Sequence, residues 1–472
     1  SRGLGDVYKR QEMGDSTNLV LILAGELLRQ AETLIALGLH PMEIVQGYEL
    51  ARDRALEQLE QLSIATLSTP PTQESLALAL RPAIASKQYG SEDVLAPLVA
   101  QAVGMVIPPS SSALRDFSVD NVRVVKILGG TLAQSRVVRG MVFGREPEGS
   151  VASAQNAKVA VYSCGLDISQ TETKGTVLLH NAQELRQFSR GEEVQLERVL
   201  KEIVDAGVKV VVAQSTVGEL ALHYLNRFGV MVLKVQSKFE VQRLCRLIGA
   251  TPLARVGAPL PEEAGWVDEA TTTEIGSDRV TVFRQSEDGA ASGKARPRLA
   301  TVVLRGATTS FLDDVERTID DGVNAVKALT RDPRLVPGAG ATEVELWRRV
   351  VEYGEKTPGL NQHAIKKFGE ALQVVPRTLA ETSGLDATEV VSRLHAQHAD
   401  EDAADIGVDV DGDTDGTLST VDAQVFDVLV AKHWAIKYAT SAAIDVLKVD
   451  SIIMSKPAGI KAPGRNPNWD DD

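Results

Sequence analysis

The chain has 472 residues, which is enough for two to four domains and for more than one hydrophobic core. Its net charge of −14 opposes binding to nucleic-acid backbones, so no nucleic acid is expected as a partner. The most apolar helical run, residues 19–37, is interrupted by charged side chains and is unsuited to a bilayer, so no membrane partner is expected. The two cysteines, Cys164 and Cys245, lie far apart in the chain and offer no disulfide framework, which favours a reducing, cytoplasmic location.

Helices are predicted through most of the first hundred residues. Apolar side chains at helical spacing predict helices over residues 19–37 and 41–62, and the second begins at a proline suited to a first helical turn. Further helices are predicted between residues 74 and 103, with an interruption near residues 86–90. Residues 1–10 show no apolar periodicity and look like a foreign or disordered stub.

Strand-like alternation begins at Asn121. Two strands are predicted over residues 122–128 and 138–143, with Gly129-Gly130 between them as a hinge. Strands and helices then alternate, which predicts βαβ units with parallel pairing. The predicted strands are 158–164, 208–213 and 230–235, and the predicted helices are 182–206, 217–228 and 239–247.

Two more predicted strands, 280–284 and 300–304, complete the β-rich region, and the polar segment 286–298 between them is predicted to be a surface loop. Helices return after Thr308 and dominate to Val449. The order helical, α/β, helical predicts an α+β multidomain fold. Its economical form is an α/β domain inserted into a discontinuous helical domain, because the two helical ends can then share one core.

One candidate site lies on the predicted helix around Asp321 and the turn Pro337-Gly338-Ala339-Gly340 that follows it. The apolar stripe of this helix places Asp321 on the polar face, where it could simply be solvated. The small residues of the turn let backbone N–H groups approach an anion just before a new helix, although such turns are also common helix ends. The alternative is a functional site in which Asp321 activates water and the backbone of the turn binds phosphate.

A second candidate, Gly14-Asp15-Ser16-Thr17, lies directly before a strong helix. A hard carboxylate and free N–H groups at a helix start suit Mg²⁺ and phosphate together. An ordinary helix N-cap explains the same residue types.

Other motifs are weaker. Residues 411–422 fit the calcium-loop template at its first, third, fifth and sixth positions, but the strand-like segment upstream favours a solvated acidic loop. His395 and His398 lie beside acidic residues at a helix end and are expected to be solvated, so no transition metal is predicted. No nucleophile constellation is evident, and Cys245 is expected to be buried in packing.

Several short stretches, taken in order along the chain, carry a more specific signal. They are Gly14–Asn18, Ser86–Gly90, Asn121–Gly129, Ala160–Cys164, Thr173–Val177, Thr330–Gly338, Tyr353–Glu355 and Lys432–Lys437. Together they resemble the group II chaperonins, and within that family the eukaryotic cytosolic chaperonin CCT (TRiC), from about Gln11 to Asp472.

The resemblance implies a chaperonin fold with three domains. The helical chain ends, residues 11–67 and 335–472, would form an equatorial ATPase domain. Residues 68–137 and 299–334 would form a small intermediate hinge domain. Residues 138–298 would form the inserted α/β apical domain that binds substrate, with a helical protrusion from Lys174 to about Glu193 as a built-in lid.

The resemblance also implies ATP or ADP and Mg²⁺ as cofactors. Asp15 would bind Mg²⁺, Lys87 would sense the γ-phosphate, and Asp321 would orient or activate the attacking water. The remaining site residues would be Ser16, Thr17, Asn18 and Leu19 at the phosphates, Gly338 and Gly340 along the nucleotide, and Asp427 and Lys432 at its base and ribose end. Because Asp321 would act from the intermediate domain, hydrolysis would require domain closure.

The implied partners are paralogous subunits in a hetero-oligomeric double ring and unfolded client polypeptides. Ser16 and Ala339 replace glycines of the family pattern, so we expect weaker nucleotide binding or slower turnover. Residues 1–10 do not resemble the family's N-terminal segment, which predicts a truncated start and an incomplete nucleotide pocket. Alternative functions are an ATP-using metabolic kinase or ligase, and a Ca²⁺-binding scaffold resting on residues 411–422.

Overall fold

The computed structural model describes residues 14–68, 71–107, 117–167, 182–285, 298–399, 403–412 and 415–454, with side chains of the helix at 182–205 described from residue 193. The predicted stub at residues 1–10, residues 174–181 of the predicted lid protrusion and most of the insert at 286–298 lie outside these ranges. Over the described ranges, no helix is both long and apolar enough to cross a membrane.

The α-helices of the described residues are α1 (Thr17–Ala36), α2 (Pro41–Gln61), α3 (Gln73–Ala85), α4 (Glu92–Val106), α5 (Ala182–Asp205), α6 (Glu219–Arg227), α7 (Lys238–Ile248), α8 (Thr309–Arg331), α9 (Ala341–Lys356), α10 (Asn361–Ala371), α11 (Val374–Thr382), α12 (Ala387–Gln397) and α13 (Leu429–Leu447). The strands are β1 (Ala65–Thr66), β2 (Val122–Leu128), β3 (Arg136–Arg139), β4 (Met141–Phe143), β5 (Ser153–Tyr162), β6 (Val208–Ala213), β7 (Met231–Lys234), β8 (Gly265–Ile275), β9 (Asp278–Arg284), β10 (Ala300–Gly306), β11 (Arg334–Pro337), β12 (Ile406–Val408), β13 (Thr417–Ser419) and β14 (Phe426–Val428).

Helices from both chain ends share one core. The apolar stripes of α1 and α2 pack against α9, α10 and α13. At the centre, the Tyr48 ring meets Phe368 edge to face at 5.7 Å, and the Tyr48 hydroxyl donates to the Leu27 carbonyl at 2.8 Å. A buried side chain of this size contributes about 2 kcal/mol of hydrophobic free energy, so this seam holds the early and late helices together. The predicted discontinuous helical domain is confirmed.

A second core lies where α3, α4 and α8 pack on a three-stranded sheet of order β2–β10–β3. The central strand β10 runs parallel to β2 and antiparallel to β3. Helix α8 buries Val315, Ile319, Val323 and Val326, which recur at helical spacing. The opposite face of α8 stays available for polar groups, as the sequence predicts.

A six-stranded sheet of order β4–β9–β8–β5–β6–β7 forms the α/β region. The predicted parallel units are confirmed in β5–β6–β7, with α5 and α6 on one face and α7 on the other. The sheet is mixed rather than wholly parallel, because β8 pairs antiparallel with both β5 and β9. Strand β8 is missing from the sequence-based prediction. Thr271, Thr272 and Thr273 follow one another in it and obscure the apolar alternation.

Two small sheets connect the helical elements. Strands β1, β11 and β14 pair antiparallel, and β12 pairs with β13. None of these strands exceeds four residues, and their partners are up to hundreds of residues away, so single-sequence periodicity does not reveal them. Through β11 and β14 the chain places Val336 opposite Asp427.

Candidate functional site

Lys87 joins two carboxylates from distant parts of the chain. Its ammonium nitrogen Nζ lies 3.3 Å from Oδ1 of Asp15 and also contacts Oδ2 of Asp321. Burial alone lowers the pKa of Lys87, but the nearby charges and hydrogen bonds of Asp15 and Asp321 outweigh burial and raise it. The lysine therefore stays protonated at neutral pH and holds the two carboxylates at one point.

Three elements bring these groups together. Asp15 precedes the first turn of α1, Lys87 follows α3 by two residues, and Asp321 lies on the polar face of α8. The packing of α3 against α8 in the second core fixes Lys87 opposite Asp321. The three side chains are only partly buried, with exposed fractions of 17% for Asp15, 35% for Lys87 and 20% for Asp321, so a ligand can still reach them.

Gly14 lies directly against α8. Its φ of 72° is left-handed, and a Cβ built there would be 2.3 Å from Cγ of Asn324, one helical turn beyond Asp321. A side chain at this position cannot fit, so the chain before α1 can approach α8 only as glycine. The sequence-based prediction names Gly14 but not Asn324. Asn324 follows Asp321 by three residues, and this spacing, which places both on one face of a helix, could have indicated its position near the site.

The residues that follow Asp15 begin α1. Ser16 is in the left-handed region at φ 56°, and its hydroxyl donates to Oδ2 of Asp15 at 3.4 Å. Thr17, Asn18 and Leu19 form the first helical turn. The first N–H groups of a helix have no intrahelical partner and favour anions, so this turn can bind a phosphate beside Asp15.

The turn before α9 is also left-handed. Ala339 has φ 50° and Gly340 has φ 80°, while the Gly338 N–H donates to the Val425 carbonyl at 2.9 Å. A Cβ built on Gly407 would lie 2.8 Å from the Ala339 Cβ, so Ala339 fits because β12 presents a glycine to it. The turn is thus braced from both sides, and the strain of a non-glycine residue in it is held by tertiary contacts.

A buried lysine lies beside this turn. Lys432, in the first turn of α13, contacts Oε1 of Glu343 and lies 2.8 Å from Oδ2 of Asp427. Burial lowers the pKa of Lys432, but the charges of Asp427 and Glu343 outweigh it and raise the pKa. The sequence-based prediction includes Asp427 and Lys432 but misses Glu343. Its position in the first turn of α9, three residues after Gly340, is the signal that could have revealed it.

The predicted site residues therefore form two groups. Asp15, Lys87 and Asp321 are in direct contact, with residues 16–19 following Asp15. The second group, with Gly338, Gly340, Asp427 and Lys432, is connected through the β11–β14 pairing. Helix α13, which carries Lys432, packs against both α1 and α8.

The histidine prediction is wrong for His398. Its side chain is buried rather than solvated: Nε2 lies 2.7 Å from the Ile406 carbonyl and Nδ1 lies 3.4 Å from Glu345. Two arginines, Arg348 and Arg349, also donate to Glu345. Burial raises the pKa of Glu345, but these hydrogen bonds outweigh it and lower the pKa to about 2. His395 instead packs on the Trp347 ring at 4.5 Å.

The acidic loop has protein partners. Oδ1 of Asp411 accepts a hydrogen bond from the Tyr89 hydroxyl at 2.5 Å, and Asp409 accepts from the N–H groups of Asp411 and Gly412. Residues 413 and 414 of the loop lie outside the described ranges. Over the residues that are described, no three His, Cys, Asp or Glu side chains are grouped as metal ligands. Cys245 is buried in the core beneath α7, as predicted.

Comparison with known proteins identifies the family. The model of the TCP-1/cpn60 chaperonin family matches residues 8–457. The chain belongs to this chaperonin family. The fold and the two residue groups described above can therefore be read as parts of a chaperonin subunit.

Relatives of this chaperonin chain include theta subunits of T-complex protein 1. It is 56% identical over 465 residues to "Probable T-complex protein 1 subunit theta" of Schizosaccharomyces pombe and 53% identical over 477 residues to the theta subunit of Saccharomyces cerevisiae. The human theta subunit is 47% identical over 466 residues. These alignments cover 97–98% of this chain and 83% of each relative.

A solved structure supports the chaperonin fold independently. The open-state monomer of a group II chaperonin from Methanococcoides burtonii superposes with a TM-score of 0.65 at 25% identity, covering 92% of this chain and 100% of that one. These comparisons support a chaperone subunit and do not support a metabolic kinase or ligase.

Proposed function

We propose that this chaperonin chain is an ATP-hydrolysing subunit of a cytosolic, hetero-oligomeric double ring that binds and encloses unfolded polypeptides. The observation that carries the proposal is the contact of Lys87 with both Asp15 and Asp321. A cation held between two carboxylates on separate elements is suited to a site where phosphate and a divalent cation meet. Family membership gives this arrangement its context.

The residues fit ATP and Mg²⁺. Asp15 supplies the hard oxygen ligand that Mg²⁺ requires, and the start of α1 offers N–H groups to phosphate through residues 16–19. Gly338 and Gly340 are assigned to line the nucleotide, and Asp427 and Lys432 are assigned to its base and ribose end. Mg²⁺, when bound, supplies the charge that stabilises the transferred phosphoryl group.

Lys87 and Asp321 are assigned the reactive end of the site. Lys87 binds the terminal phosphate as a point charge, and Asp321 orients the attacking water and accepts its proton. Phosphate binding shifts the charge of Lys87 from Asp321 towards the phosphate, and Asp321 accepts the proton. The lysine thus pairs with Asp321 before nucleotide binds and with phosphate afterwards.

The proposed domain division is the one that the family resemblance implies. Residues 11–67 and 335–472 form the equatorial domain, 68–137 and 299–334 the intermediate domain, and 138–298 the apical domain. Asp321 and Lys87 then belong to the intermediate domain and Asp15 to the equatorial domain, so nucleotide binding couples to their closure. The proposed lid from Lys174 to about Glu193 moves with the apical domain.

Purification from cytosol with a C-terminal tag, followed by native mass spectrometry, tests the assembly. We expect a megadalton double ring with paralogous subunits, and Mg²⁺-dependent ATPase activity that falls in the Asp321→Asn variant. Recovery of a monomer only, or a ring whose ATPase activity does not depend on Asp321, would refute the proposal.

A further inference from the structure

We propose that Glu343 is a positioning residue of the nucleotide site. Its carboxylate shares Lys432 with Asp427, so that Asp427 keeps its capacity to accept hydrogen bonds from the hydroxyl groups of the bound ribose. The inference rests on the proposed function, which assigns Asp427 to the ribose end, and extends it to a residue that never touches the ligand.

The contacts form a linear chain of three charges. Lys432 lies between the two carboxylates, in contact with Oε1 of Glu343 and 2.8 Å from Oδ2 of Asp427. The lysine is buried, so water cannot replace either contact cheaply. If one carboxylate contact is broken, the charge of the lysine is therefore compensated by the other carboxylate alone.

The two carboxylates differ in exposure. The Glu343 side chain is 4% exposed, whereas that of Asp427 is 37% exposed. Oε2 of Glu343 is buried and has no hydrogen-bond partner among the described residues. A ligand can therefore reach Asp427 but not Glu343, and only the outer carboxylate can accept new donors.

Charge counting shows why the inner carboxylate matters. One lysine and two carboxylates leave a net charge of −1 on the group, and only donors at Asp427 can compensate it from outside. A vicinal diol provides two such donors, each worth about 1–2 kcal/mol when the acceptor is charged. Neutralising Glu343 would remove the excess charge and weaken Asp427 as an acceptor.

The backbone fixes both carboxylates beside the glycine turn. Asp427 lies on β14, opposite Val336 on β11, and Glu343 begins α9 directly after the turn. The Gly338 N–H is tied to the Val425 carbonyl at 2.9 Å, two residues before Asp427. Thr342 braces the same corner by donating to the Pro337 carbonyl at 2.7 Å. The spacing of the two carboxylates is therefore set by the fold and not by the ligand.

The Glu343→Gln substitution keeps shape and an oxygen acceptor while removing the charge. At this subunit's site in the assembled ring, we expect KM for ATP to rise about fivefold to tenfold, which is ~1–1.4 kcal/mol, with kcat of that site within about twofold. The KM for 2′,3′-dideoxy-ATP should change less than about twofold, because that nucleotide has no hydroxyls for Asp427 to accept. A merely structural role would affect both nucleotides equally.

The matched control is Glu352→Gln on the same helix, since Glu352 is exposed and pairs with Lys356 at 2.5 Å. It should leave both KM values unchanged. Should Glu343→Gln fail to assemble, Glu343→Asp retracts the carboxylate and should raise KM for ATP about twofold to threefold, again sparing the dideoxy nucleotide. Equal effects on the two nucleotides, or none on ATP, would overturn the inference. If the ring without any substitution had no ATPase activity, the proposed function itself would be refuted, and the inference with it.

Discussion

Replacing Lys87 by Met removes the ammonium group that joins Asp15 to Asp321 and keeps most of the side-chain stem. Without this charge, the terminal phosphate loses one electrostatic contact, and such losses reduce kcat by about 10²–10³. We expect a fall of that size in single-turnover ATP hydrolysis at this subunit's site, while the paralogous subunits of the assembled ring keep their own activity. Nucleotide binding should weaken less than tenfold, because residues 16–19 and the glycine turn still provide contacts.

The effect of Lys87→Met on stability should be small. At a separation of 3.3 Å and an effective dielectric constant near 20, the Coulomb attraction between Lys87 and Asp15 is about 5 kcal/mol before solvation costs. Because Lys87 is 35% exposed, desolvation and screening reduce the net contribution to about 1 kcal/mol or less. The urea midpoint without nucleotide should therefore move only slightly.

Lys126, on strand β2, offers a matched control because its carboxylate partners lie on the same helix as Asp321. Its Nζ lies 2.6 Å from Asp313 and 2.7 Å from Glu316, both on α8. Lys126→Met removes a similar bridge between a lysine and two carboxylates, away from the nucleotide groups. It should change stability as little as Lys87→Met and leave ATPase activity intact. Equal ATPase activity in both variants, or a large loss in the Lys126 variant, would refute this account of Lys87.

Three further changes test other parts of the site. Asp321→Asn should slow single-turnover hydrolysis at this subunit's site about 100-fold or more with ATP binding retained, measured by rapid quench and fluorescence titration. Gly407→Ala should destabilise by about 1–3 kcal/mol in urea unfolding because its Cβ would meet Ala339, and adding Ala339→Gly should recover part of the loss. Glu345→Gln should cost about 2 kcal/mol at pH 7. Because the pKa of Glu345 is lowered from 4.5 to about 2, the difference from the unsubstituted chain should begin to shrink below about pH 4.5 and vanish as pH falls through about 2.

Each of these tests has a defined opposite result. Loss of ATP binding together with hydrolysis would make Asp321 a binding group rather than a water-orienting one. A neutral Gly407→Ala variant would show that the turn does not depend on contact with β12. A stability difference for Glu345 that persists in acid would mean that its carboxylate is not what the arginines stabilise.

Long helices could be predicted from the sequence because periodicity and end signals are local. The sequence predicts a helix over residues 41–62, and α2 occupies Pro41–Gln61. At its start, the His40 ring accepts a hydrogen bond from the Met42 N–H. Strand β8 could not be found in the same way. Its threonines and acidic residues are typical of a loop, and the segment is a strand because it pairs with β5 and β9.

Contacts between distant residues explain the remaining differences. His398 follows acidic surroundings in sequence, yet it is buried against Glu345, which is 53 residues earlier. Lys432 reaches Glu343 across 89 positions, and no local pattern signals that contact. The family resemblance predicts that Asp15, Lys87 and Asp321 belong to one site, whereas periodicity does not. Helix patterns alone indicate that each of the three is an ordinary surface charge.

The order of strands in the three-stranded sheet has a consequence for synthesis on the ribosome. Strand β10 separates β2 from β3, so neither can complete its pairing until residue 306 has been made. The six-stranded sheet, in contrast, uses only strands between Met141 and Arg284 and can form earlier. The shared helical core closes last, when α13 arrives. Until then the apolar stripes of α1 and α2 lack their contacts with α13. The nascent chaperonin subunit therefore exposes apolar surface, and is prone to aggregate, for most of its synthesis.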